Sequence, residues 1–219
     1  PRHRGERPFY QETDGQDVRY RPTGNQRTAE RPETSSRDHF LKSSISMIDL
    51  LVATTNSGKF AEIQDFLKHL PVHIVSLNEL QDPPAVAEDG RSFGENALKK
   101  ARTLADWSGY PTLADDSGLE VDALNGQPGI MSARFSGVGA DDAANNRKLL
   151  QKLRDVPKEK RTARFICVLA LCGPRSHGGK QCTARASCEG LIGFAAKGKN
   201  GFGYDPLFFF PPLNKTFGE

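Results

Sequence analysis

Short apolar runs alternate with amphipathic segments from residue 48 onward, and this alternation restricts the fold more than any other feature. Ile48–Ala53 has the length and composition of a strand, and Val72–Ser76 predicts a second strand. Between them, Lys59–Leu70 places apolar side chains at helical spacing. A chain of 219 residues, 37% of them hydrophobic, is long enough for one sizeable α/β domain or two small ones.

The rest of the chain continues this pattern with two more helices and a hairpin. Residues 92–108 and Asp141–Val156 are predicted to be helical. Arg161–Cys172 is a long β-rich segment, and Gln181–Glu189 alternates as its hairpin partner. A Gly-rich and aromatic stretch then leads into a short core strand, Leu207–Phe210.

The helix over residues 92–108 has a clear start and a clear inner face. Ser92 is predicted as the N-cap, and Glu95 at the third helical position completes a capping box. The apolar side chains that should face the core are Phe93, Ala97, Ala101, Leu104 and Ala105. The charged side chains placed on or near the outer faces, where solvation is usual, are Lys99, Lys100 and Arg102.

Two adjacent carboxylates stand at the centre of the chain, in the stretch 112–137. Thr112–Asp115 is predicted as a short strand, followed by Asp116 and a Ser117-Gly118 turn. Adjacent strand residues point to opposite faces, so Asp115 and Asp116 cannot both enter one pocket. One should face a site and the other should brace it. A carboxylate there can hold a metal ion or take a proton from water, although a plain polar turn uses the same residue types.

Two further polar stretches could bind a nucleotide. The turn before the first helix, with the residues Thr54, Thr55, Asn56, Ser57, Gly58 and Lys59, could offer backbone N–H groups and a lysine to an anion. It is not a Walker A loop, because Ala53 stands where that pattern requires Gly, and an ordinary helix cap is the alternative. Near the C-terminal end, Gly203 permits close backbone approach, Phe202 and Tyr204 could stack on a base, and Asp205 could accept from a ring N–H. The alternative there is a Gly-rich turn before a core strand.

Composition narrows the function classes. A net charge of +3 is too small to indicate a nucleic-acid binder, and the apolar runs are too short to span a bilayer. The four cysteines contain no C-x-x-C pair, which favours reduced thiols in a cytosolic protein. Residues 1–46 are almost free of aliphatic side chains before Leu41, so we interpret them as a disordered extension or an artefact preceding a domain over residues 47–219.

Taken together, these stretches resemble the inosine/xanthosine triphosphate pyrophosphatases. The resemblance runs from Ile48 to the C-terminus through ATTNSGKFAEI, SFGENALKKAR, LADDSGLEVDALNGQPGIMSARFSG, ARFICVLAL, GFGYDPLF and KTFGE. It implies an α/β fold in which a curved mixed β-sheet is flanked by helices in two lobes around a central nucleotide cleft. It also implies a cytoplasmic homodimer that hydrolyses ITP, dITP and XTP to the monophosphate and pyrophosphate with Mg²⁺.

The resemblance assigns roles to matching positions. Asp116 is implied as general base and Mg²⁺ ligand, with Glu88 as the second ligand and Asp89 as the alternative. The residues implied to contact the substrate are Thr54, Thr55, Asn56, Ser57, Gly58, Lys59, Lys100, Ser117, Phe202, Gly203, Tyr204 and Asp205. Lys59 and Lys100 would meet the phosphates, and the last four would line the nucleoside pocket. Thr55 departs from the Gly that many relatives have.

Other interpretations stay open from the sequence. Relatives continue beyond the KTFGE segment with a Lys and a Ser-His-Arg motif that reads the purine edge, whereas this chain stops at Glu219, which suggests a fragment of a longer reading frame. The alternatives are a related house-cleaning pyrophosphatase for other modified nucleotides, and a nucleotide-binding protein without turnover. Thermal stabilisation by nucleotide without pyrophosphate release would identify the last alternative.

Overall fold

A computed structural model of the chain describes residues 47–219, and within them one mixed sheet carries the helices. The strands are β1 (Ile48–Val52), β2 (Val72–Ser76), β3 (Thr112–Val121), β4 (Thr162–Cys172), β5 (Gln181–Ile192), β6 (Phe208–Phe210) and β7 (Lys215–Thr216). The α-helices are α1 (Ser57–Leu67), α2 (Phe93–Ser108) and α3 (Asp142–Lys152). The disordered extension predicted for residues 1–46 lies outside the described part.

The sheet has a parallel part and an antiparallel part. Its strand order is β2-β1-β3-β4-β5-β6-β7, with β1 parallel to both β2 and β3 and every later pair antiparallel. The predicted β4–β5 hairpin is confirmed, from Thr162 opposite Leu191 to Cys172 opposite Gln181. The mixed α/β sheet with flanking helices is therefore the architecture of this chain.

Two separate apolar clusters hold the sheet to its helices. The predicted inner face of α2 is buried at every position, namely Phe93, Ala97, Ala101, Leu104 and Ala105, and it packs on β1, β3 and β4. The second cluster joins α3 through Leu149 to Leu119 and Val121 of β3 and to Phe208 of β6. Strand β3 belongs to both clusters, since Ala114 lies in the first. The middle of β3 therefore lies where the two clusters meet.

The prediction that β3 ends at Asp115 and turns at Ser117-Gly118 is wrong. The strand continues to Val121 and pairs residue by residue with β4, so that Ser117 lies opposite Cys167. Gly118 serves close packing instead of a turn, because a Cβ there would lie 2.4 Å from the Ser132 hydroxyl oxygen. A contact with a residue fourteen positions later thus explains the glycine.

Helix boundaries also differ from the predictions at several ends. Helix α1 begins at Ser57 and ends at Leu67, and it buries none of its residues; Phe66 is 84% exposed. Helix α3 ends at Lys152, four residues before the predicted end. Ser92 caps α2 as predicted, but the Glu95 carboxylate accepts from the Arg91 N–H, outside the predicted capping box. No helix within residues 47–219 is long and apolar enough to cross a membrane.

Candidate active site

A cleft of about 420 Å³ opens on one face of β3. Its walls come from α1, β3, α3, β4 and the loop that precedes β6. The residues that line it include Asn56, Lys59, Asp115, Ser117, Asp142, Phe202, Gly203, Tyr204 and Asp205. Apolar side chains complete the walls, among them Ile63, Phe165 and Leu169. The cleft therefore combines an apolar wall with a few converging polar groups, as nucleotide pockets do.

A partly buried ion pair lies at the floor of this cleft. The Lys59 Nζ is 2.5 Å from the Asp115 Oδ2, and the Ser117 hydroxyl donates to the same oxygen at 3.2 Å. Asp115 is only 5% exposed, so its charge needs these two partners. Residues 115 and 117 share a strand face, which explains how both side chains reach the cleft. Asp115 thereby directs the lysine across the cavity.

The turn at residues 54–59 is built as a helix cap. The Asn56 Oδ1 accepts the Lys59 backbone N–H at 3.1 Å, and the Thr54 hydroxyl accepts the Asn56 N–H at 3.2 Å. Thr55 and Ser57 are exposed, while a Cβ on Gly58 would approach the Phe202 ring within 3.1 Å. The cap was the alternative interpretation of this turn. It nevertheless brings Lys59 into the cleft and sets Gly58 against the distant aromatic loop.

The loop 202–205 is shaped by its own side chains. The Asp205 Oδ2 accepts the Phe202 N–H at 2.9 Å, and burial holds the pKa of Asp205 above its usual range. The Tyr204 hydroxyl donates to the Ser132 carbonyl at 2.8 Å, and burial raises the pKa of that phenol. Gly203 has a φ of +60°, a conformation that favours glycine. These contacts fix the backbone beside the predicted nucleoside pocket.

Helix α3 holds this loop from outside. The Asp142 Oδ2 accepts the Gly203 N–H at 2.7 Å, and the Asn146 Nδ2 donates to the Gly203 carbonyl at 2.9 Å. Positions 142 and 146 are one helical turn apart, so both side chains reach the same peptide groups. Neither residue was assigned a role from the sequence, because an Asp in the first turn of a helix and an Asn within the helix are ordinary polar residues that carry no specific signal.

Asp116 points to the other face of β3, toward α2, and does not line the cleft cavity. Its Oδ2 accepts from the Asn96 Nδ2 at 2.9 Å. The Lys100 Nζ donates to the Asp115 carbonyl at 2.9 Å and lies 2.7 Å from the Glu88 Oε1. The structure thus gathers three predicted site residues, Glu88, Lys100 and Asp116, around the α2 side of β3.

The electrostatics of Asp116 differ from those of a surface carboxylate. Burial raises its pKa, and the negative charge of Glu88 acts in the same direction. The Asn96 hydrogen bond opposes this shift most strongly, and Lys100 and Lys59 oppose it at longer range. The net effect keeps the pKa of Asp116 above the usual aspartate range. A carboxylate of raised pKa is a better proton acceptor than an exposed one.

The placement of Lys100 on an outer face of α2 was wrong. Its side chain is 18% exposed and points to Glu88 and β3. The Arg102 side chain also points toward the protein, where its guanidinium donates to the carbonyls of Gly173 and Gly179 in the loop between β4 and β5. Lys99 does remain at the surface, paired with Asp89. In hindsight, Asn96 and Lys100 follow Phe93 and Ala97 by three residues, so polar groups inside the apolar stripe were the available signal.

The donor set fits a hard divalent cation. Within residues 47–219, no three His, Cys, Asp or Glu side chains converge as a ready-made metal cage. Glu88 and Asp116 are close enough for the charge of one to raise the pKa of the other. Magnesium is commonly held by one or two carboxylates, with water and substrate phosphates as the other ligands. Two neighbouring carboxylates are therefore suitable. Both Glu88 and Asp89 are paired with a lysine, but the Asp89 side chain is 70% exposed and that of Glu88 only 32%, and it is the charge of Glu88 that acts on Asp116.

The chain is similar to known proteins in sequence and in overall fold. Residues 50–219 match the model of the Ham1 family. The chain is 52% identical to the dITP/XTP pyrophosphatase of Geobacter sulfurreducens over 79% of this chain and 85% of the relative. It is 54% identical to that of Syntrophobacter fumaroxidans over 78% and 71%, respectively. Among solved structures, a HAM1 protein from Coxiella burnetii has a TM-score of 0.72 at 39% identity, with 79% of this chain and 87% of that chain covered.

Proposed function

The chain belongs to the Ham1 family, and on that basis we propose that it hydrolyses deaminated purine nucleoside triphosphates, ITP, dITP and XTP, to the monophosphate and pyrophosphate. The observation that carries the proposal is the pair of differently partnered carboxylates on β3, one beside the cleft and one beside Glu88. The protein is a hydrolase, namely a nucleoside triphosphate pyrophosphatase, and it acts on free nucleotides.

Water attacks the α-phosphorus, and the bond from that phosphorus to the bridging oxygen breaks. Asp116 orients this water and takes its proton, a task that suits a carboxylate of raised pKa. Lys59 and Lys100 neutralise the charge of the departing pyrophosphate, and Lys100 is already aimed by the Asp115 carbonyl. Mg²⁺, held by Glu88 and Asp116, would supply further charge neutralisation on the phosphate oxygens. The pyrophosphate leaves with the electron pair of the broken bond.

The base and sugar occupy the apolar cleft. Phe202 lies against Gly58 and can stack on the purine, and Asp205 and Ser117 offer polar groups along the walls. The N-terminus of α1 faces the phosphates with Lys59 beside it. The homodimer, the cytoplasmic location and the lack of a nucleic-acid partner stay predictions from the sequence and the resemblance.

The test is pyrophosphate release by the full chain from ITP, dITP and XTP in separate assays. GTP and ATP are the comparison substrates, and each assay is run with Mg²⁺ and with EDTA. We expect release from the deaminated substrates only, and only with Mg²⁺. Stabilisation against heat by ITP without pyrophosphate release would instead identify a nucleotide-binding protein without turnover. Equal release from GTP would contradict the assigned substrate class.

A matched pair of variants tests the metal ligands. Glu88→Gln should raise the Mg²⁺ concentration needed for half-maximal activity by about 10-fold or more, because one of two carboxylates is lost. Asp89→Asn changes the neighbouring carboxylate, which is exposed and paired with Lys99, and should leave that concentration unchanged. The reverse pattern would assign the second ligand to Asp89.

A further inference from the structure

One buried side-chain amide in the first half of α2 has no role in the proposed reaction, although it is hydrogen-bonded to Asp116 and to the segment that contains Glu88. Asn96 is 1% exposed and lies in the apolar stripe beside Phe93 and Ala97. A buried side-chain amide is destabilising unless both of its polar groups are hydrogen-bonded. Both groups of Asn96 have partners, and the partners belong to the two segments that supply Glu88 and Asp116.

The two hydrogen bonds fix the orientation of the amide. The Asn96 Nδ2 donates to the Asp116 Oδ2 at 2.9 Å, and its Oδ1 accepts the Gly90 N–H at 2.8 Å. A carboxylate only accepts and a backbone N–H only donates, so the rotated amide would lose both bonds. Asparagine alone offers a donor and an acceptor at this length, because aspartate lacks the donor and glutamine is one methylene longer.

Gly90 leaves room for this arrangement. A Cβ at position 90 would lie 2.6 Å from the Asn96 Oδ1 and 2.9 Å from the Glu95 Cβ. Only a residue without a side chain therefore lets the backbone come this close without shifting its neighbours. Gly90 stands two residues after Glu88, so the amide joins the Glu88 segment directly to strand β3.

We propose that Asn96 is a positioning residue that holds the carboxylates of Asp116 and Glu88 in the mutual arrangement that binds the divalent cation. It occupies the Asp116 Oδ2, and the Oδ1 has no hydrogen-bond donor within residues 47–219, which leaves that oxygen for water or the cation. This inference rests on the proposed function. It assigns to Asn96 no contact with the substrate.

The first test is Asn96→Asp in the full chain. This change keeps the shape and the acceptor for the Gly90 N–H but replaces the donor to Asp116 with a second acceptor. Groups that orient a metal ligand typically contribute 10- to 100-fold in metal affinity or activity. We expect a loss of about that size in kcat and in Mn²⁺ affinity, measured by calorimetric titration without nucleotide, with the KM for ITP changed less than about 3-fold.

A second variant displaces the amide without changing its chemistry. Gly90→Ala pushes the Cβ against the Asn96 Oδ1 and should lower Mn²⁺ affinity in the same direction. Both changes act through the Asn96 amide, Gly90→Ala at its Oδ1 and Asn96→Asp at its Nδ2, so the double variant should lose no more than the worse single variant. Independent, additive losses would show that the two residues do not act through this one amide, and would overturn the proposal.

Asn145→Asp is the matched control. Asn145 is also a buried amide, 3% exposed, but its partners are Ser136 and the Ala133 carbonyl, with no carboxylate among them. It should lower the thermal midpoint as much as Asn96→Asp does, while kcat and Mn²⁺ affinity stay unchanged. If both variants lowered kcat and Mn²⁺ affinity equally, the effect of Asn96→Asp would reflect lost stability alone, and the positioning role would be contradicted. If the wild-type chain released no pyrophosphate, the proposed function would fail, and the Mn²⁺ titrations would still decide the role of Asn96.

Discussion

The two neighbouring carboxylates of β3, which lie on opposite faces of the strand, have opposite electrostatic surroundings. On the cleft face, Asp115 is paired with a cation, Lys59, and accepts a hydroxyl hydrogen bond. On the α2 face, Asp116 accepts a hydrogen bond from the neutral amide of Asn96 and has Glu88 as a like-charged neighbour. We infer that Asp115 arranges a binding group, whereas Asp116 serves as a base and a cation ligand. On this inference the cleft face governs nucleotide binding and the α2 face governs turnover.

The strongest test of this division is Asp116→Asn. Loss of the proposed general base, which is also a proposed cation ligand, should lower kcat by about 10³-fold or more, with the KM for ITP nearly unchanged. Steady-state pyrophosphate release at saturating Mg²⁺ measures both constants. A variant that raised KM and kept kcat would place Asp116 with the binding groups and reverse the assignment of the two faces.

Asp115→Asn should have a smaller effect of a different kind. Without the charge of Asp115, Lys59 loses the partner that directs it across the cleft. A charged hydrogen bond of this type contributes about 1.5–3 kcal/mol, so kcat/KM should fall about 10- to 100-fold, mainly through KM. Calorimetric binding of IMP and pyrophosphate gives an independent measure. Unchanged affinity for both ligands would show that the ion pair serves folding alone.

The stability of the metal-free protein should respond to pH through Asp116. Burial raises the folded-state pKa of Asp116 above the unfolded value of about 3.9, so ionisation destabilises the fold as the pH rises through the raised pKa. Asn at this position is always neutral and can still accept from Asn96. Asp116→Asn should therefore raise the thermal midpoint in EDTA at about pH 7.5 and have little effect at about pH 4. Equal differences at both pH values would contradict the raised pKa.

The smallest expected effect belongs to the contact between α3 and the loop 202–205. Asn146→Ala removes one of the two hydrogen bonds that hold Gly203 and leaves the one from Asp142. A net hydrogen bond contributes about 0.5–1.5 kcal/mol, so the KM for ITP should rise about 2- to 10-fold at constant kcat. Arg147→Ala, at the exposed neighbouring position, should change neither constant. A fall in kcat for Asn146→Ala would link this loop to turnover.

Local patterns predicted helix α2 and the β4–β5 hairpin more accurately than the extent of β3. Apolar periodicity located α2 with every inward side chain correct, because burial of a helix stripe follows from spacing within a few residues. The hairpin β4–β5 was predictable for the same reason. The extent of β3 was not, since a Ser-Gly pair suggests a turn until Ser132 is known to pack against Gly118.

The sequence by itself determined the order of the helices and of the strands β1 to β6, the cap at Ser92, and the alternation that sends Asp115 and Asp116 to opposite faces. Only the tertiary structure decided which face each carboxylate takes and what it meets there. Lys59 lies 56 residues from Asp115, and Asn96 lies 20 residues from Asp116. Hydrogen bonds and ion pairs act over a few ångströms, so such partners are specified by the folded chain and not by spacing along it.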